Sequence, residues 1–153
     1  MALTTFGAIM GFASQLVGRT KDLFKSANEK ARDPGLKETL QAFLKEEEKN
    51  DSLMEQTRRE NVTEMILEPI TGLREEDYRI DLNLPDRASD VDLLRIILTF
   101  VEKERRFFDD CSNRVPLPEV ARIFRKIAQK KEKNRIQLQS LGLNQLLKDV
   151  SKV

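Results

Sequence analysis

The sequence repeats itself at a spacing of 84 residues, and this repeat limits the possible folds more than any other feature. The run Glu-Lys-Asn occurs at 48–50 and again at 132–134. The same register, without a gap, aligns three further identical pairs: Val17 with Val101, Phe24 with Phe108 and Pro34 with Pro118. Large apolar residues coincide as well, at 36, 40, 43 and 54 in the first copy and at 120, 124, 127 and 138 in the second. We therefore predict two copies of one helix pair.

Each copy has the apolar spacing of two amphipathic helices. Apolar residues recur in alternating steps of three and four, which is the period of an α-helix with one buried face. The first pair is predicted over residues 4–63, with a break at 33–35, and the second over 91–142, with a break at 115–118. Breaks this short force the two helices of a pair to pack antiparallel.

Residues 64–90 form a long connection between the two pairs. Two prolines and a glycine interrupt any continuous amphipathic helix there. A connection of this length usually crosses from one end of a helical bundle to the other. At the other end of the chain, Gly142 is predicted to stop the fourth helix. Residues 143–153 are then predicted to form a short helix docked on the bundle or on a second subunit.

The predicted architecture is a single all-α domain over residues 1–153. It is a ferritin-like four-helix bundle with two antiparallel helix pairs, a long crossover between the second and third helices, and a short C-terminal helix. A chain of 153 residues is long enough to bury one core. Its composition, 35% charged and 39% apolar, is typical of an all-helical protein.

Charge and cysteine content exclude several classes of function. The 27 Lys and Arg residues against 26 Asp and Glu give a net charge of +1, which attracts neither nucleic acid nor an anionic membrane. Cys111 is the only cysteine, so no intrachain disulfide forms and a reducing cytoplasm fits. The N-terminal apolar run lacks a basic segment and is interrupted by polar residues, so we interpret it as helix rather than signal peptide. We expect a cytoplasmic protein without membrane or nucleic-acid contacts.

Several segments carry a family resemblance. Arg-Asp-Pro-Gly-Leu-Lys at 32–37, followed by Glu-Glu-Glu-Lys-Asn at 46–50, resembles the first helix pair of rubrerythrins and their ferritin-like relatives. Asp-Tyr-Arg-Ile-Asp at 77–81 and Leu-Pro-Asp at 84–86, leading into Val-Glu-Lys-Glu-Arg-Arg-Phe-Phe at 101–108, resembles their crossover and third helix. The resemblance covers roughly residues 8 to 140. It implies the ferritin-like fold.

The resemblance also implies a diiron centre, but the residues at its ligand positions depart from the family pattern. Family members bind two irons through one glutamate from each of the first and third helices and a Glu-x-x-His from each of the second and fourth. Those positions, with an additional acid of the third helix, are occupied here by Val17, Val101, Glu47, Asn50, Lys131, Asn134 and Glu104. The chain contains no histidine. We therefore predict no bound iron, no other cofactor, and loss of ferroxidase and peroxidase activity.

The polar residues at these positions are predicted to form a core polar cluster in place of the metal. Glu47 and Lys131 take the two facing acid positions, so we expect them to pair across the bundle axis. Glu104 would offer a second carboxylate, and Asn50 and Asn134 would satisfy the remaining donors and acceptors. The lysine ammonium then replaces the cation. In the alternative interpretation, Lys131 and Glu104 reach solvent from slightly rotated positions.

Three features have two interpretations each. Glu47 and Glu104 would form the core of an oxygen-rich Fe or Mn site in the alternative to a metal-free protein. The fourth helix is basic, but no aromatic residues alternate with its bases, so a solvated face is favoured over nucleic-acid binding. Cys111 lies on an apolar stripe, which predicts a core residue rather than a nucleophile. The bases of the fourth helix are Arg122, Arg125, Lys126, Lys130, Lys131, Lys133 and Arg135.

Two functions are compatible with this pattern. In the first, the protein is a metal-free, rubrerythrin-like bundle that has lost diiron catalysis and acts as a structural or protein-interaction subunit, as a homodimer or with another protein. In the second, it is a divergent rubrerythrin-type oxidoreductase with a non-standard oxygen-rich site. The first is favoured because so few ligands remain, and the second depends on Glu47 and Glu104 alone.

Overall fold

The chain folds into four long α-helices. The computed structural model describes residues 1–61 and 70–151, with side chains as far as residue 142. Its helices are α1 (Phe6–Lys30), α2 (Pro34–Glu60), α3 (Asp90–Arg114) and α4 (Pro118–Ser151), with one 3₁₀ turn at Glu75–Asp77. These ranges contain no β-strand, so the predicted all-α class is confirmed.

Local capping explains where three of the helices begin. The side chains of Thr5 and Asp33 each accept a hydrogen bond from the backbone N–H three residues later, which satisfies an otherwise unpaired donor of the first turn. Ser89 and Asp92 form a reciprocal capping box at the start of α3. Pro34 adds a residue with a helical φ angle and no N–H to the first turn of α2.

The two halves of the sequence repeat occupy equivalent places. Helix α1 packs on α2 and α3 packs on α4, while further contacts join α1 to α3 and α2 to α4. Pro34 and Pro118 begin the second helix of each pair, and Val17 and Val101 are both completely buried. The repeat therefore corresponds to two similar helix pairs that share one core.

Aromatic rings connect the pairs at one end of that core. Phe12 of α1, Tyr78 of the connection, and Phe107, Phe108 and Phe124 form a continuous series of tilted and edge-to-face contacts. The ring centroids lie 5.1 to 6.4 Å apart, within the range that such aromatic pairs prefer. This series brings the long connection into the same core as the helices.

The connection between α2 and α3 begins at the N-terminal end of α1. The Leu3 N–H donates to the Leu73 carbonyl at 2.9 Å, and the Ile70 N–H donates to the Thr4 carbonyl at 2.9 Å. A few residues later the Tyr78 hydroxyl donates to Asp110 Oδ2 at 2.5 Å, which anchors the connection on the last turns of α3. The described part of the connection therefore begins at the end of the bundle where α1 starts and α2 ends.

The same connection then runs the length of α1. Arg19 donates to the Leu82 carbonyl at 3.1 Å, and Lys30 donates to the Asp86 carbonyl at 3.4 Å. At the far end, the Asp90 carboxylate accepts from the backbone N–H groups of Arg32 and Asp33, at 3.0 and 2.9 Å. The start of α3 is thereby joined to the turn between α1 and α2, so the described connection crosses from one end of the bundle to the other.

The predicted end of the fourth helix is wrong. Helix α4 continues through Gly142 to Ser151, so no separate C-terminal helix begins at residue 143. An isolated glycine costs a helix only about 1 kcal/mol relative to alanine, and no proline follows it here, so good helix formers on both sides keep the helix intact. Whether the side chains of residues 143–153 dock on the bundle or on a second subunit lies outside the described residues.

Other helix ends agree with the prediction to within a few residues. Helix α1 ends at Lys30 rather than near Arg32, and α2 ends at Glu60, with residues 62 and 63 outside the described ranges. None of the helices in the described part of the chain has an apolar stretch sufficient to cross a lipid bilayer.

Candidate functional site

The core polar cluster lies at the centre of the bundle. Helix α2 contributes Glu47 and Asn50, α3 contributes Glu104, and α4 contributes Lys131 and Asn134. Glu47 and Glu104 are 0% exposed and Lys131 is 1% exposed, while the two asparagines are also buried. These five residues lie on the same helix faces as the buried apolar residues that precede and follow them, so water does not reach them.

A buried ion pair forms the centre of the cluster. Lys131 Nζ donates to Glu47 Oε2, and the two residues come from equivalent positions of the repeat. The other oxygen of Glu47, Oε1, accepts from Asn50 Nδ2 at 3.3 Å. Both oxygens of this carboxylate are therefore satisfied, as a charge removed from water requires.

An aromatic ring lies beside the ion pair, and two valines are buried in the same core. Val17 of α1 and Val101 of α3 are completely buried at two positions where the family resemblance implies glutamates. The ring of Phe24 lies with its centroid 5.4 Å from Lys131 Nζ, close enough for a cation–π attraction. The ammonium thus has one carboxylate, one aromatic face and a dry surrounding.

Glu104 is bound less completely than Glu47. Its Oε2 lies 3.6 Å from Lys131 Nζ, beyond ordinary hydrogen-bond distance. Neither oxygen of Glu104 has a hydrogen-bond partner among the described residues, and the same holds for Asn134 Nδ2. The nearby Thr20 hydroxyl donates to the Leu16 carbonyl at 2.9 Å. Asn50 thus bonds as expected, whereas the amide nitrogen of Asn134 does not.

The electrostatics of the cluster follow from one cation facing two carboxyl groups. Burial, and then the negative charge of Glu47, raise the pKa of Glu104 well above its usual range, and Lys131 opposes them only in part. Burial alone would lower the pKa of Lys131, but Glu104 and Glu47 outweigh it and raise that pKa above its ordinary value. The cluster therefore places one ammonium beside two carboxyl groups, and Glu104 holds a proton more readily than a solvated glutamate does.

This set of side chains does not fit a diiron centre. Valine at two positions supplies no donor, and an ammonium at a third repels a divalent cation. In residues 1–61 and 70–142, no group of three or more histidine, cysteine, aspartate or glutamate side chains is placed to hold a metal ion. In this cluster the Lys131 ammonium lies where the resemblance would place a metal cation.

Burial decides two of the alternative interpretations. Lys131 and Glu104 do not reach solvent, because the rotation of α3 and α4 points both side chains inward. Cys111 is 0% exposed, and burial raises the pKa of its thiol, so it is a core residue. Of the basic residues of α4 between 118 and 142, Arg135 is half-buried, Lys131 is buried, and the others are exposed.

The sequence reasoning missed an ionic network on the outer face of α3 and α4. Arg105 binds Glu102 through two nitrogens, at 2.9 and 2.6 Å, and Arg135 pairs with Glu132 in the same way. Arg105 Nε also lies 3.5 Å from Glu132 Oε2, and this contact joins α3 to α4. The network lines an open groove of about 730 Å³. Its signal was the repeated Glu-x-x-Arg spacing, which brings both side chains to one face.

Comparisons with known proteins give one informative likeness. No family model and no curated protein matches this chain. Among solved structures, the chain is similar to a hypothetical protein from Pyrococcus furiosus, with 19% sequence identity and a TM-score of 0.66. The likeness covers 88% of this chain and 85% of that chain. At such low identity it shows the fold alone.

Replacing Lys131 by alanine tests the contribution of the ion pair. We expect Lys131→Ala to lower the free energy of unfolding by about 3–5 kcal/mol, because Glu47 would remain as an uncompensated buried charge. The adjacent Lys130→Ala is the matched control: Lys130 is exposed, so its loss should change stability by less than about 0.5 kcal/mol. Urea unfolding followed by circular dichroism measures both.

A third variant separates pairing from simple packing. Replacing Glu47, Glu104 and Lys131 together by leucine removes every charge at once, and we expect it to keep most of the stability that Lys131→Ala loses. Equal unfolding midpoints for Lys131→Ala and Lys130→Ala would show that the ion pair contributes nothing.

The raised pKa of Glu104 makes stability depend on pH. An acid whose pKa is higher in the folded state favours folding while protonated, so its contribution is complete below its unfolded pKa of about 4.3 and is lost as the pH rises through the folded value. The groups that face it are Glu47 of α2, Lys131 of α4 and Thr20 of α1. We expect Glu104→Gln, which does not titrate, to gain stability relative to the wild type as the pH rises. Unfolding curves over a pH series measure the difference, and parallel profiles would contradict it.

Proposed function

We propose that this protein is a metal-free, rubrerythrin-like bundle that has lost diiron catalysis and serves as a structural or protein-interaction subunit. One observation carries the proposal: the Lys131 ammonium lies beside the Glu47 and Glu104 carboxyl groups, at the centre of the four helices. The Lys131 ammonium already neutralises the buried carboxylate, and its positive charge would repel a bound metal cation.

The remaining ligand positions support the same conclusion. Val17 and Val101 replace two carboxylates by aliphatic groups, which cannot bind iron. Asn50 is engaged with Glu47, and amide oxygens are weak ligands for iron. Redox chemistry at this site would need donors that these side chains do not provide.

The relation to ferritin-like proteins is supported by the arrangement of the helices. Two antiparallel pairs, α1 with α2 and α3 with α4, are joined by a connection that runs along α1 from one end of the bundle to the other. Ferritin-like bundles have one such crossover connection.

Metal analysis tests the proposal. We expect protein purified without chelator from cells grown with added iron and manganese to contain far less than one metal ion per chain. Lys131→Glu is the informative comparison, because it removes the ammonium and adds a third carboxylate to Glu47 and Glu104, so its metal content should rise. Stoichiometric iron or manganese in the wild type, measured by inductively coupled plasma mass spectrometry, would contradict the metal-free function.

A second function has one observation in its favour. Neither oxygen of Glu104 has a hydrogen-bond partner among the described residues, so this carboxyl group is available to a cation. The alternative is therefore a divergent oxidoreductase with an oxygen-rich Fe or Mn site at Glu47 and Glu104. It requires Lys131 to move out of the cluster, and the same metal analysis distinguishes the two functions.

The interaction role needs a surface, and the groove between α3 and α4 supplies one. Its lining contains Arg105, Arg125 and Arg135 together with Glu102, Asp109 and Glu132. Equal numbers of acids and bases make this surface complementary to itself, as an interface between two copies related by a twofold axis requires. Ile136, 55% exposed, lies one helical turn from Glu132 on the same side of α4. The partner that fits this surface is a second copy of the chain.

Sedimentation velocity tests the dimer. We expect the wild type to sediment as a dimer and Ile136→Glu to shift the equilibrium toward the monomer, because a charge placed beside the groove would be buried in the interface without a partner. Leu82→Glu is the matched control, since Leu82 is 44% exposed in the connection beside α1 and outside the groove. A monomeric wild type, or equal dissociation of both variants, would rule out this interface.

A further inference from the structure

The side chains of the ion pair are arranged for a covalent reaction as well as for charge neutralisation. We infer that Lys131 and Glu47 condense in the folded core to form an amide between Lys131 Nζ and Glu47 Cδ, which cross-links α4 to α2. This self-modification goes beyond the proposed structural role: the ion pair described above is the state of the two groups before they react, and the amide that replaces it carries no charge.

The reacting groups are already in contact. Lys131 Nζ donates to Glu47 Oε2, an oxygen bonded directly to the Cδ carbon that the amine would attack. The two residues are 84 positions apart in the sequence, and the packing of the two helix pairs into one bundle holds them together in a site that is essentially unexposed. Holding two reactants in a fixed geometry removes the entropic barrier that a reaction between separate molecules has to overcome.

The dry surrounding favours the condensed product. In water, an amine and a carboxylic acid remain separate because both ions are well solvated and water drives hydrolysis. In this core the two ions have lost their water, and burying them is strongly unfavourable. An amide carries no charge, so condensation removes the buried ions, and the water that it releases leaves a core in which Val17, Phe24 and Val101 are all buried.

Two further residues are placed to assist the reaction. Asn50 Nδ2 donates to Glu47 Oε1, the oxygen that would carry the negative charge of the tetrahedral intermediate and become the amide carbonyl. Glu104 Oε2 lies 3.6 Å from Lys131 Nζ, and neither Glu104 oxygen has a hydrogen-bond partner in the described part of the chain. Glu104 is therefore the proton-transfer group.

The atoms and protons balance without any oxidant or cofactor. A proton first moves from the Lys131 ammonium to the Glu47 carboxylate, which gives a neutral amine and a neutral acid. The raised pKa of Lys131 makes this neutral pair the minor form, and it is the form that reacts. The amine nitrogen attacks Glu47 Cδ and the C–N bond forms. Glu104, in its acid form, then gives its proton to the leaving hydroxyl and takes one from the nitrogen. The C–O bond breaks, one water leaves, and Glu104 is again an acid.

Mass spectrometry of the denatured full-length protein tests the inference. We expect an intact mass lower than the sequence mass by one water. Trypsin should release residues 46–49 joined to residues 131–133, because a lysine in an amide is no longer cleaved. An unchanged mass would overturn the inference. Loss of ammonia instead of water would overturn Glu47 as the acceptor, since it would place the bond on an asparagine.

Variants assign the chemistry to the named residues. Lys131→Met should have its full sequence mass, and Lys130→Ala should still lose one water. Glu104→Gln, shown to be folded by circular dichroism, should keep its full mass because it cannot return the proton. A folded Glu104→Gln protein that still loses water would remove Glu104 from the mechanism, and the same loss in Lys131→Met would exclude Lys131 as the amine.

Discussion

The contact between Lys131 and Glu47 is the constraint on which the rest of the structure depends. Two opposite charges without access to solvent must stay within reach of each other, because separating them leaves each one buried alone. This requirement fixes the rotation of α2 relative to α4 and their relative position along the bundle axis. These two helices contact each other much less than α1 contacts α2 or α3 contacts α4. Burial of charge thus supplies specificity where apolar packing is sparse.

The sequence repeat explains why opposite charges face each other. Residues 84 positions apart occupy equivalent places in the two helix pairs, so a symmetric bundle brings them together near its axis. Identical acids there would repel each other unless a metal lay between them. This chain has Glu47 opposite Lys131, and Thr20 equivalent to Glu104, so its two copies differ where symmetry would bring like charges together. Val17 and Val101 stayed identical because apolar contacts tolerate symmetry.

The two buried carboxyl groups of the cluster differ in their hydrogen bonds, and the chemistry of the cluster follows from that difference. Glu47 has a donor at each oxygen, whereas Glu104 lies at 3.6 Å from the ammonium and its pKa is raised by burial and by Glu47. A carboxyl group with a raised pKa beside a buried ion pair holds its proton more readily than a solvated one does. The same feature links the pH dependence of folding to the proposed condensation.

Much of the fold was predictable from the sequence because periodicity and helix signals act locally. The spacing of apolar residues defines the helices, Pro34 and Pro118 mark where α2 and α4 begin, and the stripes containing Glu47 and Lys131 point toward the axis. Gly142 misled the prediction because its local cost is smaller than the stability of the continuing helix. Local signals of that strength do not determine where a helix ends.

Only the tertiary structure decided which polar groups meet. The spacing of apolar residues predicts the buried face of a helix only to within a fraction of a turn. An error of that size decides whether Lys131 reaches the surface or is 1% exposed, as it is here. The bond of Asn50 to Glu47, the unpartnered amide nitrogen of Asn134 within the described chain, and the network of Arg105 with Glu132 depend on how neighbouring helices rotate and slide. The contact of Arg105 with Glu132 joins two different helices, and even the bond between Asn50 and Glu47, three residues apart, depends on the burial of the face that they share, so no local pattern determines them.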